Sequence, residues 1–299
     1  MQFTGILFFP VTPFDRSGAV DPGLAAEHVA AGVEAGAGGV FPACGTGEYH
    51  ALSLDEAAGV VATAVEATGG RVPVIAGTGG PLGHALGTAR AARDAGADGL
   101  LVLPPYLVGG TQAGLAAYVE AICEASGLPV VLYHRANAQY APATVARLAA
   151  DPRVVGFKDG VGDIGLAQDI VRAVHATGRG DFAFFNGLLT AELSQGAYRG
   201  IGVPLYSSAA FAMAPDVANA YYRAYVDGDE ERRLHLVDGF YRPLVALRDE
   251  TPGFGVSLVK AGLRLAGVPV GSVRAPLVDP TPEQERRLAD ILEAGRALL

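Results

Sequence analysis

Short, unbroken apolar runs alternate along the chain with longer stretches in which Ala, Val and Leu return every three or four positions. The runs lie at residues 4–9, 39–43, 72–76, 99–103, 129–133, 154–158, 182–186 and 200–205. They are continuous rather than alternating, the appearance of strands that meet protein on both faces. Between them the periodicity predicts helices at 24–35, 54–67, 85–95 and 113–125. Ser53, with Glu56 three positions on, has the spacing of a capping box. Gly-Ala-Gly-Gly from residue 36, Gly-Ala-Asp-Gly from 96 and Ser-Gly-Leu-Pro from 126 stop the helices before the next strand. Eight strand–helix units in about 210 residues predict an α/β fold, a (β/α)₈ TIM barrel over residues 1–211. Beyond it, helical patterns at 212–227, 230–248, 255–266 and 282–299 predict a C-terminal helical segment, residues 212–299, packed on the barrel. The rival, a doubly wound open sheet, loses support because no Gly-x-Gly-x-x-Gly follows the first strand and no Walker loop occurs.

Composition narrows the class further. Half of the 299 residues are hydrophobic and 18% are charged, which suits a large buried core and excludes a disordered chain. The net charge is −9 with no basic block, which argues against nucleic acid as a partner. The apolar runs reach about ten residues, short of the roughly 20 that cross a bilayer, so no membrane association is expected. Neither a signal peptide at the start nor a metal or redox spacing between Cys44 and Cys123 is apparent, and a cytoplasmic protein is expected.

The basic residues carry the sharpest signal. Of 22, 20 are Arg and two are Lys, at 158 and 260. Arg cannot stand in where a neutral amine must act as nucleophile, because its pKa stays above about 12. Lys158 ends an apolar strand, where it would emerge into the mouth of a barrel whose chemistry collects at strand C-termini. Burial there lowers a lysine pKa and frees the amine to attack a carbonyl; pairing with Asp159 is the plainer alternative, and the two stand about even. Lys260, on a predicted helix, reads as a solvated or ion-paired side chain. Tyr133 ends the neighbouring strand, fit for relaying protons or merely for filling core. Gly45-Thr46-Gly47-Glu48 follows the second strand, and a Gly turn of this kind can aim amides and a hydroxyl at an anion. Asn186, Ser207 and Ser208 add donors for a carboxylate or sugar hydroxyls, and Arg135 can clamp a carboxylate. The six His residues lack metal spacing, and no Gly-x-Ser-x-Gly elbow occurs.

Taken in order, Gly5 to Phe14, Gly45-Thr-Gly-Glu48, Pro104-Pro-Tyr106, Tyr133 and Gly156-Phe-Lys158-Asp159 resemble the dihydrodipicolinate synthase/N-acetylneuraminate lyase family of Schiff-base barrels, over essentially the whole chain. Within it the details are similar to the branch of 5-dehydro-4-deoxyglucarate dehydratases: Tyr49 after the Gly turn, Tyr133-x-Arg135-x-Asn137, Phe157 to Asp163, Thr190-Ala-Glu192 and Tyr206-Ser-Ser-Ala209. The synthase branch departs, with a second Thr where this chain has Gly45 and a Tyr where it has Leu107. The resemblance implies Lys158 as the imine-forming nucleophile and Tyr133 as proton relay. It implies a carboxylate held at Gly45 and Thr46, with Arg135, Asn186, Ser207 and Ser208 as further substrate contacts. The implied reaction is an imine at C5, loss of the C3 hydroxyl and of the C6 carboxylate, and release of 2,5-dioxopentanoate. It would need no metal and no cofactor, on a small sugar-acid substrate in a homotetramer. A pyruvate-dependent aldolase of the same family, or a non-catalytic sugar-acid-binding barrel, would share most of these residues. Cys44 stands where a Gly is expected.

Overall fold

The computed structural model describes residues 3–299. Eight strands alternate with helices: β1 Ile6–Phe8, α1 Pro22–Glu34, β2 Ala37–Val40, α2 Leu54–Thr68, β3 Ile75–Gly80, α3 Leu82–Asp94, β4 Gly99–Pro105, α4 Gln112–Ser126, β5 Val130–His134, α5 Pro142–Leu148, β6 Val154–Asp159, α6 Ile164–His175, β7 Ala183–Asn186, α7 Gln195–Gly200 and β8 Leu205–Ser208. All ladders are parallel, in the order β2-β1-β8-β7-β6-β5-β4-β3. A parallel bridge between Val40 and Val74 joins the two ends, and the sheet closes into a (β/α)₈ barrel. Ser53 and Glu56 form the expected capping box at the start of α2.

Strand boundaries depart from the pattern where backbone chemistry overrides hydropathy. The run at 200–205 is not the eighth strand, which lies at Leu205–Ser208. Gly200 ends α7, Gly202 takes a positive φ of 88° and Pro204 has no amide to give a ladder, so pairing starts only beyond them.

The C-terminal residues form α8 Pro215–Asp227, α9 Glu230–Leu236, α10 Arg242–Arg248, α11 Phe254–Leu265 and α12 Pro282–Ala297. The single helix expected over 230–248 is interrupted by a wide turn at Val237–Tyr241. Pro243 supplies no N–H there, and the preceding turn loosens to i→i+5 bonding. These helices are not an independent layer. Tyr221, Phe240, Leu258 and Leu288 share one buried apolar cluster with Ile6 and Phe8 of the barrel wall. Among the described residues no helix is long and apolar enough to cross a membrane.

Candidate active site

The C-terminal strand ends open into a cavity of about 1030 Å³, its wall largely apolar. Lys158 rises from its floor. The residue is 5% exposed, and register sets it opposite Tyr133 on the neighbouring strand. Its Nζ lies 3.9 Å from the centre of the Tyr133 ring and 4.8 Å from that of Phe9. Gly187 makes this placement possible. A Cβ built there would come within 2.5 Å of Lys158 Cγ and 2.8 Å of the Asp159 carbonyl. Asp159, the alternative partner, points the other way, accepting hydrogen bonds from the Tyr198 hydroxyl and the Val161 amide.

The Tyr133 hydroxyl donates to the Gly187 carbonyl at 3.2 Å and accepts from Arg135 Nη1 at 2.9 Å. Burial on its own raises a phenol's pKa, but here the Lys158 and Arg135 charges, with their hydrogen bonds, outweigh it and hold Tyr133 below its ordinary value. A phenol so placed gives up a proton more readily than a free tyrosine. Asn137, next in the motif, donates to the Pro105 and Val108 carbonyls at 3.0 and 2.9 Å. It anchors the loop after β4 rather than entering the cavity.

Gly45 and Thr46 line the cavity opposite this group. Their turn is closed by the Glu48 and Tyr49 amides, which donate to the Gly45 and Cys44 carbonyls at 3.1 Å each. Among the described residues the Thr46 and Gly47 amides have no acceptor, the arrangement that suits a bound anion. Thr12 Oγ1 braces the Gly47 carbonyl at 2.7 Å. Cys44 is fully buried, and burial pushes its thiol up to about 12 against the opposing pull of Lys158. It fills space as a neutral group.

Glu48 takes a left-handed φ of 55° and is fully buried. Its Oε1 lies 2.6 Å from Lys260 Nζ, also fully buried, and its Oε2 accepts from the Arg274 amide at 2.8 Å. Lys260 is thus the internal partner of the Gly turn rather than a solvated side chain. It also donates to the Ser272 carbonyl at 3.0 Å.

Of the remaining expected contacts, Ser207 lines the cavity, whereas Asn186 and Ser208 face away from it. The Asn186 amide donates to Ala191, Ser194 and Gln195 behind β7. Ser208 is fully buried and donates to the Glu192 carboxylate while accepting from the Phe211 amide. Successive strand side chains point to opposite faces, so Ser207 and Ser208 cannot both reach a ligand. That alternation was the available signal against Ser208. Tyr49, a mark of the resemblance with no site role assigned to it, lines the cavity, as do four residues the sequence did not single out, His84, Arg248, Thr251 and Phe254. The last three come from the C-terminal segment, far along the chain from any strand end.

The dihydrodipicolinate synthetase family model matches residues 2–295. A curated Streptomyces griseus protein named "Probable 5-dehydro-4-deoxyglucarate dehydratase" is 54% identical over 297 residues, 99% of this chain and 92% of that one. A Streptomyces coelicolor protein with the same name, numbered 1, is 50% identical, covering 99% and 94%. The solved dihydrodipicolinate synthase of Oceanobacillus iheyensis superposes with a TM-score of 0.89 at 25% identity, covering 99% of this chain and 97% of its own. The family model spans nearly the whole chain, the relatives cover it almost end to end, and the chain belongs to the dihydrodipicolinate synthetase family.

Proposed function

We propose that this protein is a lyase that converts 5-dehydro-4-deoxyglucarate to 2,5-dioxopentanoate, carbon dioxide and water through a Schiff base on Lys158. The observation that carries the reading is Lys158 itself, buried on the cavity floor against Tyr133. The name borne by relatives at 50% identity and above supplies the substrate.

The Lys158 amine attacks the C5 ketone, and water leaves to give a protonated imine. That electron sink acidifies C4. Loss of a C4 proton gives an enamine, which expels the C3 hydroxyl as water and leaves a C3–C4 double bond conjugated with the iminium. Carbon dioxide comes from C1, not from C6 as the resemblance implied. The C6 carboxylate adjoins the imine carbon, so its departing electron pair would have no acceptor, and the 2-oxo acid of the product is itself C5 with C6. The C1–C2 bond, in contrast, breaks into the conjugated system. C1 leaves as carbon dioxide, and electrons pass through C2–C3 and C4–C5 to nitrogen. The resulting enol at C2 becomes the aldehyde as C3 and C4 take up protons, and hydrolysis returns Lys158.

Tyr133 moves protons during carbinolamine formation and breakdown, its hydroxyl held by Arg135 and Gly187. The Gly45-Thr46 turn receives the C6 carboxylate beside the ketone, and Ser207 meets the hydroxyls. Asn186 and Ser208 act from behind the wall, bracing β7 and β8. No metal or cofactor enters, because the iminium is the electron sink. In this reading the enzyme works in the cytoplasm as a homo-oligomer, a tetramer by family resemblance, with Cys44 and Cys123 as buried free thiols.

Borohydride reduction in the presence of 5-dehydro-4-deoxyglucarate, followed by peptide mass mapping, tests the assignment alongside a carbon dioxide release assay. The expected result is an adduct on Lys158 with gas release. An adduct on Lys260, or none, overturns it. Pyruvate release in place of carbon dioxide assigns an aldolase, and binding without turnover a sugar-acid sensor.

A further inference from the structure

The proposed substrate carries two carboxylates, and the residues described so far account for one. The C6 carboxylate has the Gly45-Thr46 turn. Of the groups that the sequence offered for the far end, Asn186 and Ser208 are turned away from the cavity and occupied, and Ser207, which lines it, is an uncharged donor. A carboxylate cannot be left unpaired against walls such as Leu101, Leu103, Leu188 and Phe254, because an uncompensated charge in an apolar site is costly. The cavity is lined by three cationic side chains, Lys158, Arg135 and Arg248. Lys158 keeps its positive charge as the protonated imine but is bonded to C5, and Arg135 sits beside Tyr133, whose hydroxyl takes one of its N–H groups.

We propose that Arg248 is the specificity residue for the distal, C1 end of the substrate. The side chain lies at the end of α10, 16% exposed, and reaches back to the loop after β7, where Nη1 donates to Thr190 Oγ1 at 2.7 Å. Its Nε donates to Asp249 Oδ1 at 2.8 Å. A guanidinium has five N–H groups; two are used, and among the described residues the other three have no acceptor. Held at two points, the planar fork is already oriented before any ligand arrives, so less rotamer freedom is lost on binding. It stands on the β7 side of the cavity, while the Gly turn follows β2, across the barrel mouth. A six-carbon diacid joined to Lys158 through C5 thus has C6 directed towards β2 and C1 towards Arg248. The same contact discriminates against sugar acids that end in an alcohol, which would leave the three remaining N–H groups covered by ligand without a charged acceptor.

The inference rests on the dehydratase reading for the identity of the diacid, but its test does not depend on turnover. Two probes are compared on the intact protein: 5-dehydro-4-deoxyglucarate and 2-oxo-3-deoxyhexonate, the same chain with an alcohol in place of the distal carboxylate. For each, the concentration that half-saturates borohydride trapping is measured on wild type and on Arg248→Gln and Arg248→Lys. Arg248→Gln is expected to weaken the diacid by about 10–100-fold, the range of a charge-assisted hydrogen bond, and to leave the monoacid within about twofold. Arg248→Lys is expected to restore part of the diacid binding. Equal weakening of both probes, or none with the diacid, overturns the assignment. Absence of carbon dioxide release by the wild type removes the dehydratase reading instead, while the ratio between the two probes still decides the role of Arg248.

Discussion

Replacing Glu192 with Gln is expected to stabilise the protein at alkaline pH and to change little at acid pH. Glu192 lies in the 3₁₀ turn after β7 and is wholly buried behind β8, among Ser208, Tyr206, Tyr221 and Tyr241. Burial dominates its titration and raises the pKa from 4.5 to about 7, against hydrogen bonds from Ser208, its own backbone and Tyr241. Because the folded pKa is raised, the native state binds a proton that the unfolded chain releases. The stabilisation from holding that proton is fully present below pH 4.5 and is lost as pH rises through 7. At about 1.36 kcal/mol per pKa unit, the shift corresponds to about 3 kcal/mol between those limits. Gln keeps the acceptor for Ser208 and cannot ionise, so the variant escapes this loss. The assay is thermal unfolding of both proteins at pH 5 and pH 8, where every other titrating group cancels in the difference. At roughly 2 °C per kcal/mol for a chain of this size, Glu192→Gln is expected to melt about 5 °C higher than wild type at pH 8 and level with it at pH 5. The same difference at both pH values, or a less stable variant at pH 8, would refute the reasoning.

Tyr133→Phe is expected to retain borohydride trapping on Lys158 while kcat falls by about 10²–10⁴-fold, the usual contribution of a positioned acid–base group; near-normal kcat would make Tyr133 a packing residue. Lys260→Met strands the Glu48 carboxylate in the interior and is expected to cost about 3–5 kcal/mol in chemical denaturation. The double variant Glu48→Gln with Lys260→Met should recover most of that loss, since neither charge then remains buried; a double variant as unstable as the single would show that packing, not charge, is at stake.

The sequence made some of this legible and hid the rest for physical reasons. Lys158 stood out because the chain has two lysines, and a strand-end amine in an Arg-rich protein is hard to explain as surface charge. The runs at 99–103 and 154–158 fall within the strands observed, since buried parallel strands advertise themselves by hydropathy. The eighth strand was displaced because two of its four residues are serines, one buried on a hydrogen bond to Glu192 that hydropathy cannot register. For Lys260 the ion-paired alternative holds, but its burial was hidden for a related reason: a charged residue on a helix reads as surface until its partner, Glu48, is known. Arg248 was beyond reach, because only the folded chain brings the end of α10 over the β7 loop.

The Glu48–Lys260 pair also orders events in time. During synthesis the strands of the barrel emerge first, with Glu48 in place, while Lys260 and Arg274 are more than two hundred residues behind. Until they arrive, the nascent Gly turn holds a carboxylate that has neither its counter-ion nor its backbone donor, and cannot settle into a dry interior. The turn proposed to hold the carboxylate is therefore expected to mature only after the tail docks, which would keep a half-made chain catalytically silent even with its barrel strands paired.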